Sequence, residues 1–161
     1  MPEKQKYHKI IFPGTFDPFT FAHFEAFNLA TKELNKKISI VIIENRSKKS
    51  KIFSFEERKE MISSYLPEAE VVFAKNDKEW QKIWEHTEIA IRKFRGNSDI
   101  EEDIATCKKH SIDFNKIRYF KLKKSFNISS LKVKVLSVIE EFPNGINEFT
   151  FKKLQEKIPR N

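Results

Sequence analysis

One short stretch near the N-terminus gathers side chains that could bind and polarise a phosphate. It covers residues 12–23, with the sequence FPGTFDPFTFAH, and lies between an apolar segment and an amphipathic helical pattern. A helix that follows a strand and a turn presents free backbone N–H groups at its start, and its dipole favours an anion there. Thr15, Thr20 and His23 would add hydroxyl and imidazole donors. The stretch therefore predicts an anion site on an α/β domain.

Three later segments also carry donors suited to phosphate: Arg46–Ser54, Ile91–Glu101 and Ser125–Lys132. The first is rich in lysine. The second holds two arginines, whose planar guanidinium groups can bind phosphate oxygens in pairs. The third holds a pair of serines before a helical pattern. From these residues alone, the lysines could equally form a solvated loop and the serines could be ordinary helix N-caps.

Residues 14–18, together with Thr20 and His23, resemble the signature of the nucleotidylyltransferase superfamily. The flanking residues are most similar to those of the phosphopantetheine adenylyltransferase family. The three later segments resemble further motifs of that family, in the same order. The resemblance implies transfer of AMP from ATP to 4′-phosphopantetheine, which gives dephospho-coenzyme A and pyrophosphate. It also implies Mg²⁺ carried by the ATP phosphates and a homo-oligomer, expected to be a hexamer.

The resemblance also implies roles for individual residues. His23 would donate to the α-phosphate in the transition state, and Lys48, with Lys49 as the alternative, would bridge the phosphates of both substrates. Arg92 would hold the acceptor phosphate and Arg95 the ATP phosphates. The remaining substrate or nucleotide contacts would be Thr15, Phe16, Thr20, Lys49, Asp103, Ser129 and Ser130. No protein residue is expected to ligate a metal, and Asp17 is expected to stabilise a turn.

The chain departs from the family pattern at three positions: Ala22 and Lys93 replace glycines, and Leu131 replaces a hydroxyl residue. A Cβ at position 22 could obstruct the approach of a nucleotide to the backbone. Four functions are therefore compatible with the sequence. They are the adenylyltransferase, a slower enzyme, an enzyme with another acceptor, and a homologue that binds nucleotide or coenzyme A without catalysis.

The elements that must position these residues alternate between β-branched runs and helical periodicity. This alternation predicts an α/β fold with a doubly wound, five-stranded parallel sheet in a single domain. Ligands of such sheets bind beyond the carboxyl ends of the strands, where the winding reverses. The predicted strands are His8–Phe12, Ile38–Ile43, Glu70–Phe73, Glu88–Ile91 and Ile117–Phe120. The predicted helices are Ala22–Leu34, Phe55–Tyr65, Lys78–Glu85, Asp99–His110, Ser130–Glu140 and Glu148–Lys157.

The bulk properties narrow the class of protein. The chain has 161 residues, a single cysteine and a net charge of +8. Lone Cys107 excludes an internal disulfide and favours a cytoplasmic protein. No apolar run approaches the ~20 residues of a membrane span. The positive charge leaves a nucleic-acid binder as an alternative, although the lysines are dispersed and binding of two anionic small molecules accounts for the same charge.

Overall fold

The computed structural model describes residues 9–44, 52–94, 96–109, 112–121 and 145–157. The strands are β1 (Ile10–Gly14), β2 (Ser39–Ile43), β3 (Glu70–Ala74), β4 (Ile89–Phe94) and β5 (Ile117–Lys121). The helices are α1 (Phe21–Leu34), α2 (Phe55–Tyr65), α3 (Asp77–Glu85), α4 (Asn97–Lys109) and α5 (Glu148–Lys157), with a short 3₁₀ turn at Phe114–Lys116. The predicted helix Ser130–Glu140 lies outside the described residues.

The five strands form one parallel sheet in the order β3-β2-β1-β4-β5. The chain winds outward from β1 to β3, crosses back to β4 and winds outward again to β5. The winding therefore reverses between β1 and β4. This arrangement confirms the predicted doubly wound α/β fold, and it makes the carboxyl ends of β1 and β4 the edge at which a ligand is expected.

Alternate residues of the strands supply the two halves of the core. Ile10, Phe12, Ile40 and Ile42 pack with the helices on one face of the sheet, where Ala22, Ala26 and Ala30 form a row along α1. These small side chains recur every four residues and so share one helix face. Ile11, Val41 and Ala90 pack on the opposite face against Ile83 and Trp84 of α3. Burial on both faces explains why the strands read as continuous apolar runs.

The ends of α2, α4 and β4 can be compared with their predicted ends. Helix α2 begins as predicted, since Ser54 and Glu57 form a capping box. Helix α4 begins at Asn97, two residues before the predicted start at Asp99. Strand β4 continues to Phe94, so that Arg92 lies within the strand rather than at its end. Its polar side chain is tolerated there because it pairs with α4, as described below.

Candidate active site

The candidate site lies at the carboxyl ends of β1 and β4, where the winding of the sheet reverses. Strand β1 pairs with β2 at four residues, but with β4 at two: Ile10 with Ile89 and Ile11 with Ala90. Pro13 has no N–H to donate in the second half of β1. The described ladder thus leaves the carboxyl halves of β1 and β4 unjoined. The loop at 15–20, which leads into α1, begins at this opening.

His23 lies in the first turn of α1 and is held by Thr20. The backbone N–H of Thr20 donates to His23 Nδ1 at 3.0 Å, and the Thr20 hydroxyl lies at the same distance from that nitrogen. The pair forms a capping box in which histidine occupies the usual place of glutamate. Because Nδ1 accepts a hydrogen bond, the proton of the neutral ring resides on Nε2. The imidazole can therefore act as an Nε2–H donor.

Three phenylalanine rings enclose the same imidazole. Phe19 stacks on His23 at 5.2 Å between ring centroids, and Phe16 meets it edge-on at 5.0 Å. Phe12 lies 6.2 Å away. His23 is only 8% exposed. The rings therefore restrict the orientation of the imidazole. The sequence is rich in phenylalanine, but its composition alone did not indicate this enclosure.

The start of α1 differs from the expected anion site in one respect. Four N–H groups at the start of a helix lack partners within the helix. Here the N–H of Thr20 donates to His23, and that of Phe21 donates to the Gly145 carbonyl at 2.7 Å. The expectation that the whole helix start presents free N–H groups is therefore wrong for these two. These two amides are therefore not available to a phosphate.

Arg58, which the sequence analysis left without a role, fixes the loop that follows β1. Its side chain is almost wholly buried, and Nη1 donates to the Thr15 carbonyl at 2.9 Å. Nη2 lies 3.8 Å from a carboxylate oxygen of Glu44. Burial lowers the pKa of Arg58, and the charge of Asp17 counteracts that effect. The sequence Glu56-Glu57-Arg58, which follows Arg46–Ser54, resembles a continuation of the same family motif and was the signal that could have identified it.

Asp17 joins the same loop to the start of α2. Its two carboxylate oxygens accept hydrogen bonds from the backbone N–H groups of Ile52 and Phe53, each at 3.0 Å. This gives Asp17 a structural role, with two of its partners 35 and 36 residues away along the chain. Together Asp17 and Arg58 hold the loop after β1, the end of the segment that follows β2 and the start of α2 as one unit.

Arg92 and Asp103 form a bidentate ion pair. Arg92 Nε and Nη2 donate to the two carboxylate oxygens at 3.3 and 3.0 Å. The hydroxyl of Tyr119 donates to Asp103 Oδ2 at 2.7 Å. Since both oxygens of the nearly buried Asp103 are used, the geometry favours an orienting role for this residue. Direct contact of Asp103 with a nucleotide stays a prediction.

The remaining candidates are placed as follows. Thr15 is partly exposed at the carboxyl end of β1. The side chains of Phe16 and Thr20 are buried, so their described contacts position His23. His23 lies on the α1 face of the sheet and Arg92 on the α4 face, both toward the carboxyl edge. Five candidates lie outside the described residues: Lys48, Lys49, Arg95, Ser129 and Ser130.

The described residues contain neither a cluster of metal ligands nor a membrane-spanning helix. No group of three or more His, Cys, Asp or Glu side chains there could hold a metal ion. The same part of the chain contains no helix that is long and apolar enough to cross a membrane. Burial raises the pKa of the Cys107 thiol, and the charge of Asp103 raises it further, so that this cysteine is a poor nucleophile.

Three features agree with a nucleotidylyltransferase: the doubly wound parallel sheet, Gly14 at the end of β1 and His23 in the first turn of α1. In agreement, residues 11–78 match the Cytidylyltransferase-like family model. The chain is thus similar to this family over β1 to the first turn of α3.

Within that class the curated relatives matched are phosphopantetheine adenylyltransferases. The protein of that name from Nautilia profundicola is 41% identical over 68 residues, which cover 40% of this chain and 43% of the relative. The one from Bdellovibrio bacteriovorus is 29% identical over 135 residues, with 80% of this chain and 82% of the relative covered. A solved structure, the lipopolysaccharide core biosynthesis protein from Thermoplasma volcanium, is 17% identical with a TM-score of 0.49, and covers 71% of this chain and 95% of that one.

Proposed function

We propose that the protein transfers the adenylyl group of ATP to 4′-phosphopantetheine, forming dephospho-coenzyme A and releasing pyrophosphate. The oxygen of the acceptor phosphate attacks the α-phosphorus of ATP, and the bond to the bridging oxygen of pyrophosphate breaks. Such a reaction depends on positioning and on donors that meet the charge developing on the transferred group. The similarity to several phosphopantetheine adenylyltransferases over most of the chain supports this choice of substrates.

The observation that carries the proposal is the hydrogen bond that His23 Nδ1 accepts from the Thr20 N–H. An imidazole with its proton on Nε2, buried at the carboxyl edge of the sheet, can donate to an α-phosphate oxygen without first changing its protonation state. Thr20 and the phenylalanine rings hold it in place before substrate binds. Arg92 supplies a partly exposed guanidinium at the same edge, which is suited to the acceptor phosphate.

Departure from the family pattern at position 22 is compatible with this activity. Ala22 is 1% exposed and packs in the core beneath the sheet. Its methyl group therefore lies on the side of α1 that packs in the core, where the family has a glycine. Lys93 also lies within β4, and Leu131 lies outside the described residues.

In the proposal Mg²⁺ arrives with the ATP phosphates. The carboxylate of Asp17 accepts two backbone hydrogen bonds and that of Asp103 is paired with Arg92, so neither is suited to ligate the ion. When bound, the ion would neutralise phosphate charge and would be held by phosphate oxygens and water.

A hexamer, expected from the family, belongs to the same proposal and is checked by light scattering.

A coupled assay of pyrophosphate release tests the activity, with ATP and 4′-phosphopantetheine as substrates. We expect turnover with ATP over CTP and a loss of about 10²-fold or more in kcat for His23→Ala. Unchanged kcat in this variant would contradict the role of His23. Tight binding of coenzyme A without turnover would favour a binding protein, and binding of duplex DNA or RNA that weakens steeply with salt would favour the nucleic-acid alternative.

A further inference from the structure

A tyrosine of β5 lies behind the ion pair of the candidate site. Tyr119 stands directly opposite Arg92 in the parallel ladder between β4 and β5. Both side chains therefore project from the same face of the sheet and reach α4, which covers that face and carries Asp103. Each donates to the same carboxylate oxygen, Tyr119 at 2.7 Å and Arg92 through Nε at 3.3 Å.

The ring of Tyr119 is itself fixed. Phe94 packs against it at 6.0 Å between centroids in an edge-on arrangement, and Phe114 lies at 6.5 Å. These contacts therefore restrict the position of the Tyr119 hydroxyl. Burial raises the pKa of Tyr119, and its hydrogen bond to Asp103 raises the pKa further. The phenol consequently remains a donor at all pH values at which an enzyme would work.

Asp103 needs this donor. Its side chain is about one-tenth exposed, and a carboxylate removed from water must have its oxygens satisfied. Arg92 alone supplies two hydrogen bonds, of which the one through Nε is long. The Tyr119 hydroxyl gives the carboxylate a third bond from a different strand, and so fixes the plane in which Asp103 meets the guanidinium.

We propose that Tyr119 is a positioning residue which, through Asp103, orients the Arg92 guanidinium for the phosphate of the acceptor. This inference rests on the proposed function. Arg92 commits Nε and one Nη2 hydrogen to Asp103, and its side chain is still 39% exposed. With the guanidinium plane fixed by the carboxylate, the remaining N–H groups face a defined direction instead of sampling several.

Tyr119→Phe is the direct test, because it removes one oxygen and keeps the ring. We expect KM for 4′-phosphopantetheine to rise about fivefold, the equivalent of one net hydrogen bond, while kcat and KM for ATP change less than about twofold. Asp103→Asn should raise the same KM by at least as much. A merely structural tyrosine would alter expression and melting temperature but not one KM selectively.

Tyr65→Phe is the matched control. Its hydroxyl accepts a hydrogen bond from the Asn147 N–H at 2.9 Å, between α2 and α5 and remote from Arg92. The control should leave KM for the acceptor unchanged. An equal rise in both tyrosine variants, or no rise in Tyr119→Phe, would overturn the positioning role.

Calorimetry with 4′-phosphopantetheine separates this inference from the proposed function. A wild-type protein that binds this acceptor without turnover would overturn the adenylyl transfer, and a fivefold weaker Kd in Tyr119→Phe would still support the positioning role. Turnover together with an unchanged Kd and KM in Tyr119→Phe would overturn the inference alone. Absence of binding to the wild type would overturn both.

Discussion

Arg58 donates a hydrogen bond to the backbone carbonyl of Thr15, 43 residues earlier in the chain. The bond joins the first turn of α2 to the loop that leads to His23. A wholly buried guanidinium is rarely retained without partners, and here they are a carbonyl, the Glu44 carboxylate and the ring of Phe55. The geometry of the loop after β1 therefore depends on a residue of another element, α2.

Arg58→Met should destabilise the protein by about 3 kcal/mol, because it leaves the Thr15 carbonyl and nearby carboxylates without their buried partner. Urea denaturation measures the loss. Lys59→Met, an exposed basic residue on the same helix, is the control and should change the free energy of unfolding by less than about 0.5 kcal/mol. Equal effects of the two substitutions would contradict the assigned role.

Thr20→Val should lower stability by about 1 kcal/mol, because it removes a buried hydroxyl that lies 3.0 Å from His23 Nδ1. The fall in kcat should remain below about tenfold, because the Thr20 backbone N–H still donates to His23 Nδ1. Thr20→Ser restores the hydroxyl and should recover both quantities. Thermal unfolding and the pyrophosphate assay measure them. A loss of kcat in Thr20→Val as large as that of His23→Ala would show that the hydroxyl itself takes part in the reaction.

Gly14→Ala should cost about 1–3 kcal/mol of stability and reduce kcat. A Cβ at this position would lie 2.8 Å from Phe16 Cζ, and Phe16 is buried against His23. Relief of the clash must displace the ring that orients the imidazole. Gly96→Ala is the matched control, since a Cβ there meets nothing within 4 Å. Chemical denaturation of both variants checks the expectation, and similar stabilities would refute it.

Glu57 should make stability depend on pH in the acidic range. The hydrogen bond from Lys157 lowers the pKa of Glu57 below its ordinary value. Because the folded-state pKa is depressed, the contribution is present above the unfolded pKa of about 4.3 and is lost as pH falls through the folded value. Glu57→Gln should therefore reduce the loss of stability between about pH 5 and pH 3, by about 0.5 kcal/mol. High salt should diminish the difference.

Local patterns predicted the framework of this protein well. The spacing of apolar residues gave the bounds of α2 and α5, and placed all five described strands to within a few residues. Ser54 and Glu57 signalled a helix start, since both partners of a capping box lie within one turn. Strand β4 was predicted too short because Arg92 and Lys93 interrupt its apolar run.

Contacts between distant segments could not be predicted in the same way. The partners of Asp17 follow β2, and those of Asp103 come from two different strands. No spacing along the chain distinguishes a tyrosine that reaches such a carboxylate from one that packs in the core. The enclosure of His23 by phenylalanines likewise depends on the path of the loop, in which Phe16 adopts a positive φ.

The saturated N–H groups at the start of α1 affect how such a protein can diverge. When main-chain amides grip an anion, recognition is independent of residue type and resists change by point mutation. Here the N–H groups of Thr20 and Phe21 already donate hydrogen bonds within the protein. Selectivity for one phosphate over another at this helix start therefore depends more on side chains. A new acceptor could be accommodated by exchanging individual side chains without a change in the backbone.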